Sequence, residues 1–343
     1  MTLQSGANVR DMPDQTVRAA IRGMGVYIPE RILTNDELAR MLDTSDEWIT
    51  ARTGIKRRHI AAAGQTTGDL ATIAAGRALA AAGMDAGDLD LIIVGSATPD
   101  HYFPATACLV QERLGAKRAG AFDLLAACSS FVYGLISAGQ LIAAGSIRHA
   151  LVIGAETLSR LVDWEDRRTA VLIGDGAGAV VLTPSTGGRG LYSGVVGADG
   201  SAGDILKVAA GGSRIPMSFE AIERKLHRAH MDGQTVFKLA VRTVPGLVRE
   251  AIERAGWTID QVDRIVPHQA NLRIIDAMRS HLGLPADRFE VNIEEYGNTS
   301  AASVPLALYE AVDAGRIRPD DRIVLAAFGG GFTYAACALV WGS

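Results

Sequence analysis

The sequence predicts an α/β protein built from two related halves, with much parallel pairing in its sheet and helices covering both faces. Short, continuous apolar runs alternate with longer helical ones, which favours parallel pairing. Segments of the first half reappear in the same order in the second. Hydrophobic residues make up 48% of the 343 and charged residues 21%, enough apolar material for a large core and too little charge for disorder.

Taken in order, the first twenty residues, MTLQSGANVRDMPDQTVRAA, mix acids, Pro and Gly without an apolar stretch. Residues 1–18 therefore read as a loose tail rather than a signal peptide. TTGDLATIAAGRALAAAG and ATACLVQERLG read as helices, and LDLIIVG (89–95), HALVIGA (149–155) and AVLIG (170–174) as buried strands. From Leu124 to Ile147 no residue is charged, a run long enough to span a bilayer. Ser129, Ser130, Ser137, Gln140 and three glycines interrupt it, so a helix buried inside a soluble protein is the better reading. Val132, Leu135, Ile136, Gly139 and Ile142 keep helical spacing there. The stretch 204–233, containing ERKLHRAH, has no counterpart in the first half and reads as an insertion with an amphipathic surface helix. DRIVPHQANLRIIDAMRSHLG reads as a short strand followed by a helix with Ile275, Met278 and Leu282 on its apolar face.

The internal repeat sets the domain organisation. The segment from Cys128 aligns without a gap on the segment from Asn298, so that AAGSIR falls on DAGRIR and Ser130 on Ser300. DLDLIIVGSAT matches QVDRIVPHQAN upstream, and LIGDGAGAVVL resembles AFGGGFTYAACALV downstream. The halves are expected at 19–185 and 186–343. The gap-free alignment makes Cys128 and Asn298 equivalent, each at a strand-to-helix junction facing a central crevice, the usual ligand position in open α/β sheets.

Charge and cysteine content exclude several classes. Lysine and arginine total 34 against 38 acids, a net charge of −4, which leaves no global footprint for nucleic acid. Cys108, Cys128 and Cys337 lack metal-ligand spacing, and three unpaired thiols suit a reducing cytoplasm. The glycine runs in LIGDGAGAVV and AAFGGGFTY are followed by strand-like residues, whereas a dinucleotide loop precedes a helix. They read as turns, whose amides can also form an oxyanion hole.

Cys128 opens the uncharged helix, where free amides and the helix dipole favour a thiolate and are expected to lower the thiol pKa. A buried, inert cysteine is the commoner fate of a free thiol. His268 follows a strand at its carboxyl end, and Asn298 lies in EEYGNTSAAS, where a turn or cap role would also suit it.

Cys128 in AAC, His268 in PHQAN and Asn298 in GNTSAAS, with DEWITARTGI, GDGAGA and FGGGF, resemble the 3-oxoacyl-[acyl-carrier-protein] synthase III family from about Ile21 to the C-terminus. The resemblance implies the thiolase-like fold, with two pseudo-symmetric halves and mixed sheets in an αβαβα arrangement. It implies decarboxylative condensation of an acyl-CoA primer, acetyl-CoA for preference, with malonyl-acyl-carrier protein, initiating fatty-acid synthesis. Cys128 would carry the acyl group, His268 and Asn298 would meet the enolate oxygen, and the amides of Cys128 and Gly330 would meet the tetrahedral oxyanion. Trp48, Arg52 and Thr53 would take the nucleotide end of coenzyme A, together with Arg167, although Arg168 stands where the family has glycine. Gly233, Phe237 and Ala270 would line the pantetheine tunnel, and Lys238 and Arg273 would meet the carrier protein. Phe103 would reach the acyl pocket of the partner subunit in a homodimer and favour a short primer. The resemblance implies no metal or cofactor and no nucleic-acid or membrane partner. Ser129-Ser130 departs from the commoner Ala-Gly after the nucleophile.

Three other readings fit some of these residues: a Cys-His-Asn hydrolase, a condensing enzyme of secondary metabolism with another donor or acceptor, and a non-catalytic protein retaining the fold. The repeat and the GNTSAAS setting speak against the hydrolase.

Overall fold

The computed structural model describes residues 16–342; most of the expected tail lies outside them. The first half opens with β1 (Arg18–Tyr27) and a small excursion: β2 (Arg31–Thr34), α1 (Asn35–Ala39), α2 (Asp46–Thr53) and β3 (Arg57–Ile60). Next come α3 (Thr67–Ala82), β4 (Leu91–Gly95), α4 (Thr106–Leu114), β5 (Gly120–Leu124), α5 (Ser130–Ala143), β6 (Ala150–Glu156), α6 (Arg167–Ala170) and β7 (Gly176–Ser185). The second half runs β8 (Gly190–Ala198), β9 (Leu206–Val208), α7 (Phe219–Glu223), β10 (Ala229–Met231), α8 (Gly233–Arg254) and β11 (Arg264–Pro267). It closes with α9 (Leu272–Leu282), α10 (Ile293–Tyr296), α11 (Ser303–Asp313), β12 (Arg322–Gly329) and β13 (Thr333–Val340).

The two large sheets repeat one plan. Strand order β5-β4-β6-β7-β1 in the first corresponds to β11-β12-β13-β8 in the second. The parallel and antiparallel steps match: β4 with β6 and β11 with β12 are parallel, and the later steps are antiparallel. The counterpart of β5 is reduced to one parallel bridge between Ile265 and Phe289.

Strand alternation creates the layers. Ile93 of β4 and Val152 of β6 face inward, where Phe131, Val132 and Leu135 of α5 and Val304 and Leu308 of α11 meet Leu325 and Cys337 of the second sheet. Their neighbours Ile92, Val94, Leu151 and Ile153 face the other way, onto α3 and α4. Ile265, Val324 and Ala336 of the second sheet turn outward onto Val244 and Val248 of α8 and Ile275 and Met278 of α9. The result is the αβαβα stack, with α5 and α11 as its middle layer. Burial on all sides explains the uncharged run: α5 has only 14 residues, and among the described residues no helix is long and apolar enough to cross a membrane.

Three sequence expectations are corrected. Residues 170–174 do not form a strand: Ala170 ends α6, and only Ile173 pairs, in a single bridge to Asn298. Glu223 ends α7, so most of ERKLHRAH is turn and strand rather than helix. The β9–β10 ribbon it helps form carries Leu206 and Met231 over the central crevice, so the insertion is a roof. The gap-free repeat also slips by three residues. Gly145 and Gly315 match just past the ends of α5 and α11, but α5 spans 14 residues and α11 only 11. Ala127 (φ +47°) therefore corresponds to Ser300 (φ +48°), each opening a short turn into the central helix, and Cys128 corresponds to Ala301 rather than Asn298.

Candidate active site

Cys128 sits in the turn Ala127–Ser129 between β5 and α5. The left-handed backbone at Ala127 costs a non-glycine residue about 1–3 kcal/mol, and the packed core around α5 holds it there. The end of β12 closes on this turn. A Cβ at Gly329 would stand 2.5 Å from the Cys128 backbone nitrogen, so that approach requires glycine. Neither the Cys128 nor the Gly330 amide finds a backbone acceptor among the described residues.

His268 extends the β11 ladder, its amide donating to Ala326 O at 2.7 Å. Its ring meets Phe328 edge-on at 5.3 Å, and Nδ1 lies 2.6 Å from Ser303 Oγ. Gln269 N–H also points to that oxygen, at 3.4 Å. We therefore assign the Ser303 proton to the bond with Nδ1, which leaves the ring proton on Nε2. Nε2 is buried and has no hydrogen-bond partner among the described residues. Burial pushes the imidazole pKa down to about 3, so the ring is neutral at physiological pH.

Asn298 is gripped by the other half. Its amide donates to Leu172 O (2.7 Å), and its carbonyl accepts from Gly174 N–H (3.0 Å). The side-chain Oδ1 accepts from Ser300 N–H at 2.8 Å, the turn role expected of asparagine, while Nδ2 has no partner among the described residues.

One cavity of about 110 Å³ joins these groups: Cys128, His268 and Asn298 line it together with Gly233, Phe237 and Ala270. A second, mostly apolar cavity of about 470 Å³ meets it at Cys128 and Asn298 and contains Gly330. The thiol pKa departs from expectation. Burial pushes it up to about 12, the Ser300 hydroxyl pulls against that, and the Glu156 charge adds to the rise. Desolvation thus outweighs the helix-end effect, and the resting sulfur is a thiol.

The remaining predicted residues divide. Two guanidinium groups lie over the Trp48 ring, Arg52 at 4.7 Å and Arg167 at 5.0 Å from its centre. Arg168 instead pairs with Asp166 at 2.9 Å. Asn271, beside the first cavity, donates to Arg52 O at 3.1 Å, which puts this aromatic-cation cluster near the cavity mouth. Thr53 does not join it: its buried hydroxyl donates to Ile49 O and accepts from Ile55 N–H, closing α2. Lys238 and Arg273 are exposed, and Arg273 lies over the Phe237 ring at 5.8 Å. Phe103 is 86% exposed and lines neither cavity of its own chain.

A model of 3-oxoacyl-[acyl-carrier-protein (ACP)] synthase III matches residues 122–200, and the C-terminal model of the same family matches 252–341. The beta-ketoacyl-[acyl-carrier-protein] synthase III of Caldanaerobacter subterraneus subsp. tengcongensis is 51% identical over 95% of this chain and 99% of its own. The chain belongs to the 3-oxoacyl-[acyl-carrier-protein] synthase III family. It is an acyl-transferring condensing enzyme of the thiolase-like fold. The crystal structure of the synthase III from Aquifex aeolicus VF5 superposes with a TM-score of 0.88 at 45% identity, over 94% of this chain and all of that one. The priming beta-ketosynthase of the R1128 polyketide pathway superposes with a TM-score of 0.89 at 36% identity, over 97% and 98% of the two chains. Cys128 falls in the first matched family segment, and His268, Asn298 and Gly330 in the second.

Sequence reasoning missed three residues beside this family constellation. Ser303 fixes His268, Ser300 lines the larger cavity with Cys128, and buried Glu156 accepts from the Ser300 hydroxyl. One signal was available: Glu156 is the only acid in the apolar strand ALVIGAE, at its carboxyl end.

Proposed function

We propose that this chain condenses an acyl-CoA primer with malonyl-acyl-carrier protein through an acyl group held on Cys128, releasing coenzyme A and CO2. The observation that carries the reading is the shared cavity in which a sulfur faces two unpaired donors, His268 Nε2 and Asn298 Nδ2. Cys128 Sγ attacks the primer thioester, and the coenzyme A sulfur leaves. Malonyl-carrier protein then loses CO2, and negative charge develops on its thioester oxygen. A neutral imidazole N–H and a carboxamide N–H stabilise that oxygen in a site dry enough to make both bonds strong. The carbanion attacks the acyl-enzyme. The free amides of Cys128 and Gly330 receive the tetrahedral oxyanion, and Cys128 departs as the thiolate and takes up a proton from solvent.

Trp48, beside Arg52 and Arg167, suits a nucleotide base and its phosphates. The tunnel past Gly233, Phe237 and Ala270 suits the pantetheine arm, and exposed Lys238 and Arg273 suit an acidic carrier protein. In a homodimer Phe103 enters the partner's acyl pocket and favours acetyl. A second reading, a longer primer, draws on the 470 Å³ apolar cavity that Cys128 lines.

Intact-mass measurement after exposure to a panel of acyl-CoAs tests both readings. The expected result is a mass increment on Cys128, largest with acetyl-CoA and absent in Cys128→Ala. Preference for a longer chain would select the second reading. Release of free acid without a 3-oxoacyl product would favour a hydrolase.

A further inference from the structure

The two central helices open on equivalent turns that are held in different ways. In the first half the Ser130 hydroxyl braces its own turn, donating to Ala127 O (2.7 Å) and accepting from the Ala126 amide (2.8 Å). Ser303 takes the equivalent place in the second half. Its hydroxyl is bonded to the His268 ring and makes no bond to its own turn among the described residues. Yet Ser300 carries the same left-handed backbone as Ala127, a conformation that a non-glycine residue keeps only where its surroundings impose it. The first half supplies the missing brace. Glu156, fully buried at the end of β6, accepts from neutral donors alone: the Ala97 amide (3.1 Å to each oxygen) and the hydroxyls of Thr98 (2.7 Å), Ser96 (3.2 Å) and Ser300 (2.8 Å). β6 is paired along both edges, and it meets the turn again at Gly154, where a Cβ would stand 2.2 Å from Ala301 O. Ser300 passes this hold on through its backbone, because its amide donates to Asn298 Oδ1 at 2.8 Å. A backbone N–H can only donate, so the bond fixes which end of the carboxamide is oxygen and leaves Nδ2 as the free donor.

We propose that Glu156 and Ser300 are positioning residues for Asn298, a latch between the halves that keeps its Nδ2 aimed at the enolate oxygen. The hold runs from Glu156 Oε1 to the Ser300 hydroxyl, and from the Ser300 amide to Asn298 Oδ1. No proton is transferred along it. A donor set in place before charge develops stabilises that charge without reorganising, so a carboxamide free to turn would lose most of its effect. The latch serves decarboxylation and not acyl transfer, since Asn298 meets charge only when malonyl-carrier protein loses CO2. It also explains why an acid stands in the apolar strand ALVIGAE: the equivalent serine of the second half is already committed to His268.

The inference rests on Asn298 being an enolate donor, and the test separates the two. Enzyme acetylated on Cys128 is mixed with malonyl-acyl-carrier protein labelled in its free carboxyl, and CO2 release is timed in a single turnover. Acetyl transfer from acetyl-CoA is timed separately. The variants are Asn298→Ala, Ser300→Ala, the two combined, Glu156→Leu and Glu156→Gln, and thermal melts identify those that fold. Asn298→Ala should slow CO2 release roughly 100-fold, and Ser300→Ala and Glu156→Leu roughly tenfold or more. Acetyl transfer and half-saturation by malonyl-carrier protein should stay within about twofold, and the double variant should be no slower than Asn298→Ala alone. Glu156→Gln should keep most of the rate, because its carboxamide oxygen still accepts from Ser300 and Ala97. Should the Glu156 variants fail to fold, Ser300→Ala and the double variant carry the test. CO2 release near the wild-type rate in Ser300→Ala, a further loss in the double variant, or acetyl transfer that falls in step would overturn the latch alone. Wild-type CO2 release in Asn298→Ala would overturn the parent reading, and the latch with it.

Discussion

In the proposed mechanism, the decarboxylating half-reaction turns on a neutral histidine that only donates. With Nδ1 taken by Ser303, the His268 ring has one productive tautomer. Ser303→Ala should free the ring to adopt the other one. Condensation is then expected to fall about tenfold or more, with acetyl transfer to Cys128 unchanged, measured as separate single-turnover steps. The same burial has a consequence for stability. The folded pKa of His268, about 3, lies below the ordinary value of 6.5, so the unfolded chain binds a proton that the folded chain refuses. Stability linked to this group is complete above pH 6.5 and is lost as pH falls towards 3, by at most about 1.4 kcal/mol per pH unit. Urea titrations at several pH values should show that slope diminish in a folded His268→Gln variant.

At the scale of elements, the site depends on how closely β12 can approach the turn before α5. Gly329→Ala would drive a Cβ into the Cys128 amide, so acetyl transfer should drop by orders of magnitude in the mass assay. An alanine at Gly246 on α8, whose Cβ would meet nothing within 4 Å, provides the control. The middle layer carries the other load. Leu135 of α5 is fully buried between the sheets, and Leu135→Ala should cost about 2–5 kcal/mol in chemical denaturation. Of these elements α5 was legible in sequence from its uncharged helical run, whereas at the second glycine run the sequence marked the strand-like residues after the glycines, which form β13, and not β12 before them. The segment 170–174 misled because apolar content reports burial rather than strand pairing: Leu172 and Ile173 are held by the loop around Asn298, and no second strand runs beside them.

For the whole molecule, net charge and local field diverge. A chain of net charge −4 still presents exposed Lys238 and Arg273 on the side of α8 and α9 that flanks the tunnel. Lys238→Glu and Arg273→Glu should raise the half-saturating concentration of malonyl-carrier protein and weaken its salt dependence, while acetyl-CoA kinetics stay the same. Equal effects on both substrates would argue against a carrier-protein surface. The duplicated plan, one sheet order used twice, is what sets α5 and α11 side by side and brings their leading turns together beneath the β9–β10 roof.

By itself the sequence determined the alternation of strand and helix, the duplication, and the cysteine, histidine and asparagine of the site, because apolar runs and motif residues are local properties of the chain. Tertiary structure alone decided the three-residue slip between the halves, the inward turn of Thr53, the raised thiol and lowered imidazole pKa values, and the meeting of Glu156 with Ser300. Each of these depends on which groups lose water to one another, and residues 144 positions apart have no local sign of that encounter.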